Sequence, residues 1–244
     1  MKESKLYEVL QRASIFLEEH GREKKVAEIL LQHHLQVTRT QFYAMMRDVI
    51  PQEVIDLFFK DIVAHSVTGK PVQHMTGKEM FYGRTFFINE HVLIPRPETE
   101  ELVEYVLTFI RKNFPSQPLS IVDVGTGSGV IAITLALELP EVMVYATDIS
   151  QTALQVAKKN ARNLNARVHF MTGDFLQPIL KSTIQPQIIV SNPPYISESE
   201  KGEMDDIVLN FDPHIALFAD EHGLSAYKKI VNQFKSYDLI LVDT

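Results

Sequence analysis

The chain has 244 residues, is 45% apolar, carries a formal net charge of −7 and contains no cysteine. That length can bury one large core, or one core plus a smaller satellite domain, and the missing thiols exclude disulfides and thiolate metal sites. The acidic balance argues against a broad nucleic-acid surface, and the lack of a long apolar run or a signal-peptide core argues against membrane insertion or export.

From Leu6 to about His65 apolar residues recur at helical spacing, as in Leu6, Val9, Leu10, Ala13, Phe16 and Leu17, which predicts a small helical bundle. Thr38 is placed to cap a helix carrying Phe42, Met45 and Met46, with Gln41 completing the capping-box pattern. Pro51 starts a further helix that Gly69-Lys70-Pro71 ends. The adjacent His33 and His34 point to different helix faces and read as ordinary surface or boundary residues, not as metal ligands.

Between Pro71 and Glu101 the pattern shifts to short β-type runs, Phe81-Tyr82 and Thr85 to Ile88, separated by Gly83-Arg84. A hairpin linking two domains is expected there. It leads into Leu93-Ile94-Pro95-Arg96-Pro97-Glu98-Thr99-Glu100, where Pro97 can occupy the first turn of a helix carrying Leu102, Val103, Val106 and Leu107. Charged residues packed beside fixed prolines suggest that this segment lines something.

The main domain begins with Ile121-Val122-Asp123-Val124, then Gly125-Thr126-Gly127-Ser128-Gly129, then an apolar helix from Val130 to Leu139. Strand, glycine turn and helix in that order let a ligand approach the backbone closely, and N–H groups at a helix start favour an anion. The G-x-G-x-G spacing departs from the dinucleotide pattern, and no Gly-Lys-Ser/Thr follows to make a phosphate loop. A second strand, Val142 to Thr147, ends in Asp148, placed to accept hydrogen bonds from ribose hydroxyls. After a helix from Ala153 to Asn163, a third strand, Val168 to Met171, leads to Asp174, which can accept from an adenine amino group, and Phe175, which can pack on the ring. A capping Asp and a core Phe are the alternative there.

Ile188-Ile189-Val190 supplies a fourth, fully apolar strand, with Ser191-Asn192-Pro193-Pro194-Tyr195 at its end. Prolines lack an N–H and hold the backbone extended, so their carbonyls are left to accept from elsewhere. Asn192 adds a side-chain oxygen, which together with the Pro193 carbonyl can grip both hydrogens of one NH₂ group, while Tyr195 covers its flat face. Fixed acceptors of that kind stabilise positive charge developing on a planar nitrogen. Strands alternating with helices give an α/β doubly wound sheet whose ligand residues fall at one edge.

The glycine turn, Asp148 and Ser191 to Tyr195, in this order, resemble a class I methyltransferase that uses S-adenosylmethionine. The Leu93 to Glu100 segment ahead of them resembles one family within it, the HemK/PrmC protein-(glutamine-N5) methyltransferases of peptide chain release factors. The resemblance implies a helical release-factor-docking domain over residues 1–70, a β-hairpin linker over 71–96 and a Rossmann-like methyltransferase domain over 97–244. It further implies a cytoplasmic enzyme without metal or direct nucleic-acid binding, whose substrate is the glutamine of a Gly-Gly-Gln motif and whose second product is S-adenosylhomocysteine.

By position, the resemblance gives the Gly125, Thr126, Gly127, Ser128, Gly129 turn to the cofactor's methionine portion, Asp148 to its ribose, and Asp174 with Phe175 to its adenine. Asn192, which would also touch the cofactor, and Pro193 would bind the glutamine amide, with Pro194 and Tyr195 beside it. Phe175 stands where the family often has Trp, Gln187 where it commonly has Asp, and Asp212-Pro213 where it has Glu-Pro. Tyr237 to Val242 reads as a fifth strand, whereas the class I fold normally adds two more, so a sheet short of its C-terminal strands is expected. Two other readings compete: an adenine-N6 or cytosine-N4 methyltransferase of nucleic acids, and a module that binds the cofactor without catalysis.

Overall fold

The computed structural model describes residues 4–115, 118–204, 206–234 and 240–242. The chain divides into two units, Met1–Thr76 and Gly77–Thr244.

The first unit is helical. α1 (Leu6–Glu19) buries Leu6, Val9, Ala13 and Leu17, one stripe at a spacing of three and four residues. α2 (Lys25–Leu35) buries Val26, Ala27, Leu30 and Leu31 and ends on Gln36 in the left-handed conformation. Thr38 caps α3 (Arg39–Ala44): its Oγ1 accepts from the Gln41 N–H at 3.3 Å, and Gln41 Oε1 accepts from the Thr38 N–H at 2.8 Å. α4 (Gln52–Thr68) stops at Gly69, φ 70°, and the short α5 (Val72–Thr76) follows. Phe42, Phe58 and Ile62 are fully buried at the centre of this unit. His33 and His34 lie in the last turn of α2 and are half-buried, with His34 Nε2 2.8 Å from Asp61 Oδ2, a partner the sequence did not reveal.

The second unit opens with a hairpin, β1 (Lys78–Phe81) and β2 (Arg84–Phe87), whose Phe81 and Phe86 lie in the same core as the sheet. The turn falls on Tyr82-Gly83, one residue earlier than predicted, because a two-residue hairpin turn needs left-handed backbone at both central positions and Tyr82 supplies it at φ 49°. α6 (Glu98–Asn113) begins after Pro97 and buries Leu102, Val103, Val106, Leu107 and Ile110.

The remaining elements alternate: β3 (Ser120–Val124), α7 (Val130–Glu138), β4 (Met143–Asp148), α8 (Gln151–Leu164), β5 (Val168–Thr172), α9 (Gln177–Leu180) and β6 (Ile188–Ser191), all but the short α9 in the places that the apolar runs predicted. Then come the short β7 (Ile196–Ser197), a 3₁₀ turn over Glu198–Glu203, α10 (Asp206–Phe211), α11 (His214–Leu217), β8 (Phe218–Ala219), α12 (Ser225–Phe234) and β9 (Ile240–Val242). β9 is the described part of the predicted fifth strand; Tyr237 to Leu239 lie outside the described residues.

The five-stranded sheet has the order β5-β4-β3-β6-β9, all neighbours parallel. Alternate residues of the central strands pack to opposite faces. Ile121, Val144, Ala146, Ile188 and Val190 meet α6 and α7 on one side, and Val122, Val124, Tyr145 and Ile189 meet Leu176, Ile179 and Ile230 on the other. Helices on both faces make this a doubly wound α/β sheet, in which ligands bind beyond the carboxyl ends of the strands where the order reverses. Here that point lies between β3 and β4 on one side and β6 on the other.

Candidate active site

The glycine turn leaves β3 at that switch point. Gly125, Gly127 and Gly129 all have positive φ, at 74°, 55° and 85°, but serve different ends. A Cβ on Gly125 or Gly127 would meet nothing within 4 Å, whereas one on Gly129 would stand 2.9 Å from Ile133 Cδ1 and 3.0 Å from Ala157 Cβ. The first two therefore leave a trough open to a ligand, and the third lets α7 and α8 close up.

Side chains of the same turn face inward. Thr126 Oγ1 donates to Asp123 Oδ2 at 2.6 Å, and that oxygen also accepts the Ala132 N–H of α7 at 3.1 Å. Asp123 is fully buried, and burial pushes its carboxyl up to about 7 against the pull of these two bonds. Sequence reasoning gave Asp123 no role, yet it ties the strand, the turn and the helix start together. Ser128 is buried and its carbonyl accepts from Asn160 Nδ2 at 2.9 Å.

β4 delivers Asp148 beside the turn. Its Oδ2 accepts the Gly127 N–H at 2.8 Å and its Oδ1 the Ser150 N–H at 2.8 Å. Burial raises its pKa, opposed by the bonds from Ser150 and Gly127. Each carboxylate oxygen keeps lone-pair capacity beyond these backbone donors.

A cavity of 360 Å³ opens here, within the usual range for small-molecule sites. Gly125, Gly127, Asp148, Asp174, Phe175, Asn192 and Pro194 line it, bringing together predicted cofactor and clamp positions from four strand ends. Thr126, Ser128, Gly129, Pro193 and Tyr195 do not line it; Pro193 is buried and Tyr195 is 58% exposed. Phe175 holds left-handed backbone at φ 47°, and Lys229 Nζ of α12 lies 5.9 Å from its ring centroid. The charged groups around the cavity are Asp148, Asp174, Glu198 and Asp220 against Lys229. That excess of carboxylates suits a cation and repels phosphates.

Ser191 fixes the clamp to the turn, since its Oγ donates to the Val124 carbonyl at 2.7 Å. Asn192 Nδ2 donates to Thr99 Oγ1 of α6 at 3.2 Å, across 93 positions of sequence. Beyond the clamp, β7 pairs with β8 in parallel, and Gly223, φ 80°, lies so close that a Cβ there would stand 2.1 Å from the Tyr195 carbonyl oxygen. Arg96 Nη2 pairs with the buried Asp212 Oδ2 at 2.7 Å, joining the proline-rich segment to the loop before α11. Thr99, Gly223 and Asp212 were not among the predicted site residues. Their bonds span long sequence distances, and only the left-handed requirement at a glycine leaves any local trace.

An open glycine trough, a carboxylate at the end of the next strand, an aromatic ring and an acidic cavity fit S-adenosylmethionine, whose sulfonium and ammonium groups are cationic. The doubly wound sheet and this site define a class I S-adenosylmethionine-dependent methyltransferase. Residues 105–211 match the methyltransferase small domain, and residues 8–77 match the PrmC N-terminal domain. The chain is 45% identical over 229 residues to the release factor glutamine methyltransferase of Bacillus cereus, covering 94% of this chain and 81% of that protein. It is 45% identical to the one from Bacillus subtilis, over 93% of this chain and 78% of that protein, and 43% identical to the one from Enterococcus faecalis, over 93% and 79%. The chain belongs to the release factor glutamine methyltransferase family.

Proposed function

We propose that the chain transfers a methyl group from S-adenosylmethionine to the N5 amide nitrogen of the glutamine in the Gly-Gly-Gln motif of peptide chain release factors, in the cytoplasm and in support of translation termination. The observation that carries this reading is Asn192 at the cavity edge with its amide nitrogen already engaged by Thr99, which leaves Oδ1 to accept from an incoming NH₂ group.

Bound S-adenosylmethionine supplies a methyl on a positively charged sulfur, already activated for transfer. Gly125 and Gly127 give its methionine portion room against the backbone, Asp148 takes the ribose hydroxyls, and Asp174 with Phe175 holds the adenine. Asn192 Oδ1 and the Pro193 carbonyl take one hydrogen each of the glutamine amide and orient its nitrogen toward the cavity. Both oxygens are fixed, so they favour the more tetrahedral nitrogen and stabilise the charge that develops on it, at no cost in reorganisation. Tyr195, exposed at the rim, packs against the amide plane of a substrate arriving from outside. Positioning and electrostatics then supply most of the rate.

Glu198 and Asp220 at the rim support a protein substrate over a nucleic acid, whose phosphates they would repel. The helical unit, residues 1–76, is proposed to help dock the release factor. Among the described residues no helix is long and apolar enough to cross a membrane. The test is incubation with S-adenosylmethionine and a purified release factor, followed by mass spectrometry of the Gly-Gly-Gln peptide. One added methyl on that glutamine is expected; an unmodified peptide, with cofactor bound, overturns the substrate assignment.

A further inference from the structure

We propose that Thr99 is a positioning residue for catalysis, whose hydroxyl holds the Asn192 side-chain amide in place at the cavity edge. This rests on the assignment of Asn192 as the amide acceptor and gives the Pro95 to Glu100 segment a task within that site.

Three observations carry it. Thr99 is only 4% exposed and lies inside the first turn of α6, past the N-cap Pro97, where its hydroxyl does not cap the helix. Its Oγ1 instead accepts from Asn192 Nδ2 at 3.2 Å, the one hydrogen bond the Asn192 side chain makes among the described residues. The segment carrying Thr99 is itself pinned, since the Thr99 N–H donates to the Arg96 carbonyl at 3.1 Å and Arg96 pairs with the buried Asp212.

The Asn192 side chain turns about two bonds, and only some of its rotamers present the amide at the cavity. The bond to Thr99 ties one end of the amide to α6 and leaves the other end for the substrate. Without that bond the side chain samples other rotamers in the substrate complex as well, so a smaller share of the bound enzyme holds the reacting geometry.

Three variants and one spectrum test it. Thr99→Val keeps the shape and removes the hydroxyl; kcat for glutamine methylation is expected to fall about two- to tenfold, the worth of one neutral hydrogen bond. Cofactor Kd and release-factor KM are expected to stay within about twofold, since Thr99 is buried and does not line the cavity. Thr99→Ser restores kcat. Should Thr99→Val lower the melting temperature, Thr99→Ala and Thr99→Ser lack the same methyl and differ only in the hydroxyl, so their kcat ratio isolates the tether. In the NMR spectrum the side-chain NH₂ signals of Asn192, assigned by their loss in Asn192→Ala, move to the values of an exposed asparagine in Thr99→Val and stay in place in Thr99→Ser.

Unchanged kcat and unchanged Asn192 signals in Thr99→Val overturn the proposal, as does a serine variant no better than alanine. The spectrum needs no substrate. A wild-type chain that fails to methylate the glutamine therefore sinks the substrate reading, while the Asn192 signals still decide the tether.

Discussion

The glycine turn and the amide clamp stand on paired strands, Val124 opposite Ser191, and are held by different means. The turn is braced by Asp123, Thr126 and Asp148, all within a short stretch of chain and joined by hydrogen bonds of 2.6–3.1 Å. The clamp has braces of comparable reach in β8 and Gly223 on one flank, and on the other a distant one, Thr99 of α6, 93 positions away. The proposed cofactor cradle is thus held by bonds within one stretch of chain. The proposed substrate clamp also takes its geometry from a helix far away in sequence.

The sharpest break of this comparison is Asn192→Ala, which removes the clamp's acceptor and leaves the cradle alone. Methyl transfer should fall about 10²–10³-fold, the usual cost of losing one preorganised group at a developing charge. Cofactor affinity measured by calorimetry should change little, and a variant with normal turnover would contradict the role given to Asn192.

Asp123→Asn probes the cradle. An ordinary Asp titrates near about 4, whereas Asp123 is pushed up to about 7 by burial. Between those values the folded chain holds a proton that the unfolded chain has lost, so the contribution is full below the lower value and declines as pH rises toward the upper one. An Asn keeps one oxygen for Thr126 and Ala132 and has no proton to lose. Urea unfolding at pH 5 and pH 8 should show the wild-type decline removed, a difference on the order of 2–3 kcal/mol. An unchanged slope would place the titration elsewhere.

Gly223→Ala presses a methyl toward the Tyr195 carbonyl. Displacing the clamp by part of an ångström should cost about tenfold in kcat with cofactor binding retained. Gly83→Ala is the matched control, because φ is 71° there and nothing lies within 4 Å. It should lose only about 1–2 kcal/mol of stability from left-handed strain, read as a lower denaturant midpoint, and no rate. Equal kinetic losses in both variants would mean that Gly223 acts through stability alone.

The same contrast explains what could be read in advance. Periodicity revealed the helices of the first unit, and Thr38 with Gln41 marked a helix start, because those signals lie within a few residues. Apolar runs revealed β3, β4 and β6, since strands buried on both faces carry no polar alternation, while β5, at the edge of the sheet, showed as a shorter run interrupted by the exposed His169. The hairpin slipped by one residue because Gly83 drew the turn toward Arg84, while the backbone demanded a left-handed Tyr82 before it. The pairing of β7 with β8 involves two residues on each strand and left no pattern to find. At the site, the glycines that open the trough look the same in sequence as the one that seats α7 on α8; only the space around each separates them. Thr99 stood inside a segment marked as notable, but its partner lies 93 positions away.

Asn160 carries a last consequence. It is buried, and its amide is saturated: Oδ1 accepts the Phe87 N–H at 2.7 Å, while Nδ2 donates to the carbonyls of Phe87 and Ser128, each at 2.9 Å. A hairpin strand and the glycine turn therefore share one buried side chain, and the opening of either leaves an Asn160 group without its partner. That shared cost is expected to link their hydrogen exchange, so that ligand seated in the trough would slow the exchange of the Phe87 amide on β2.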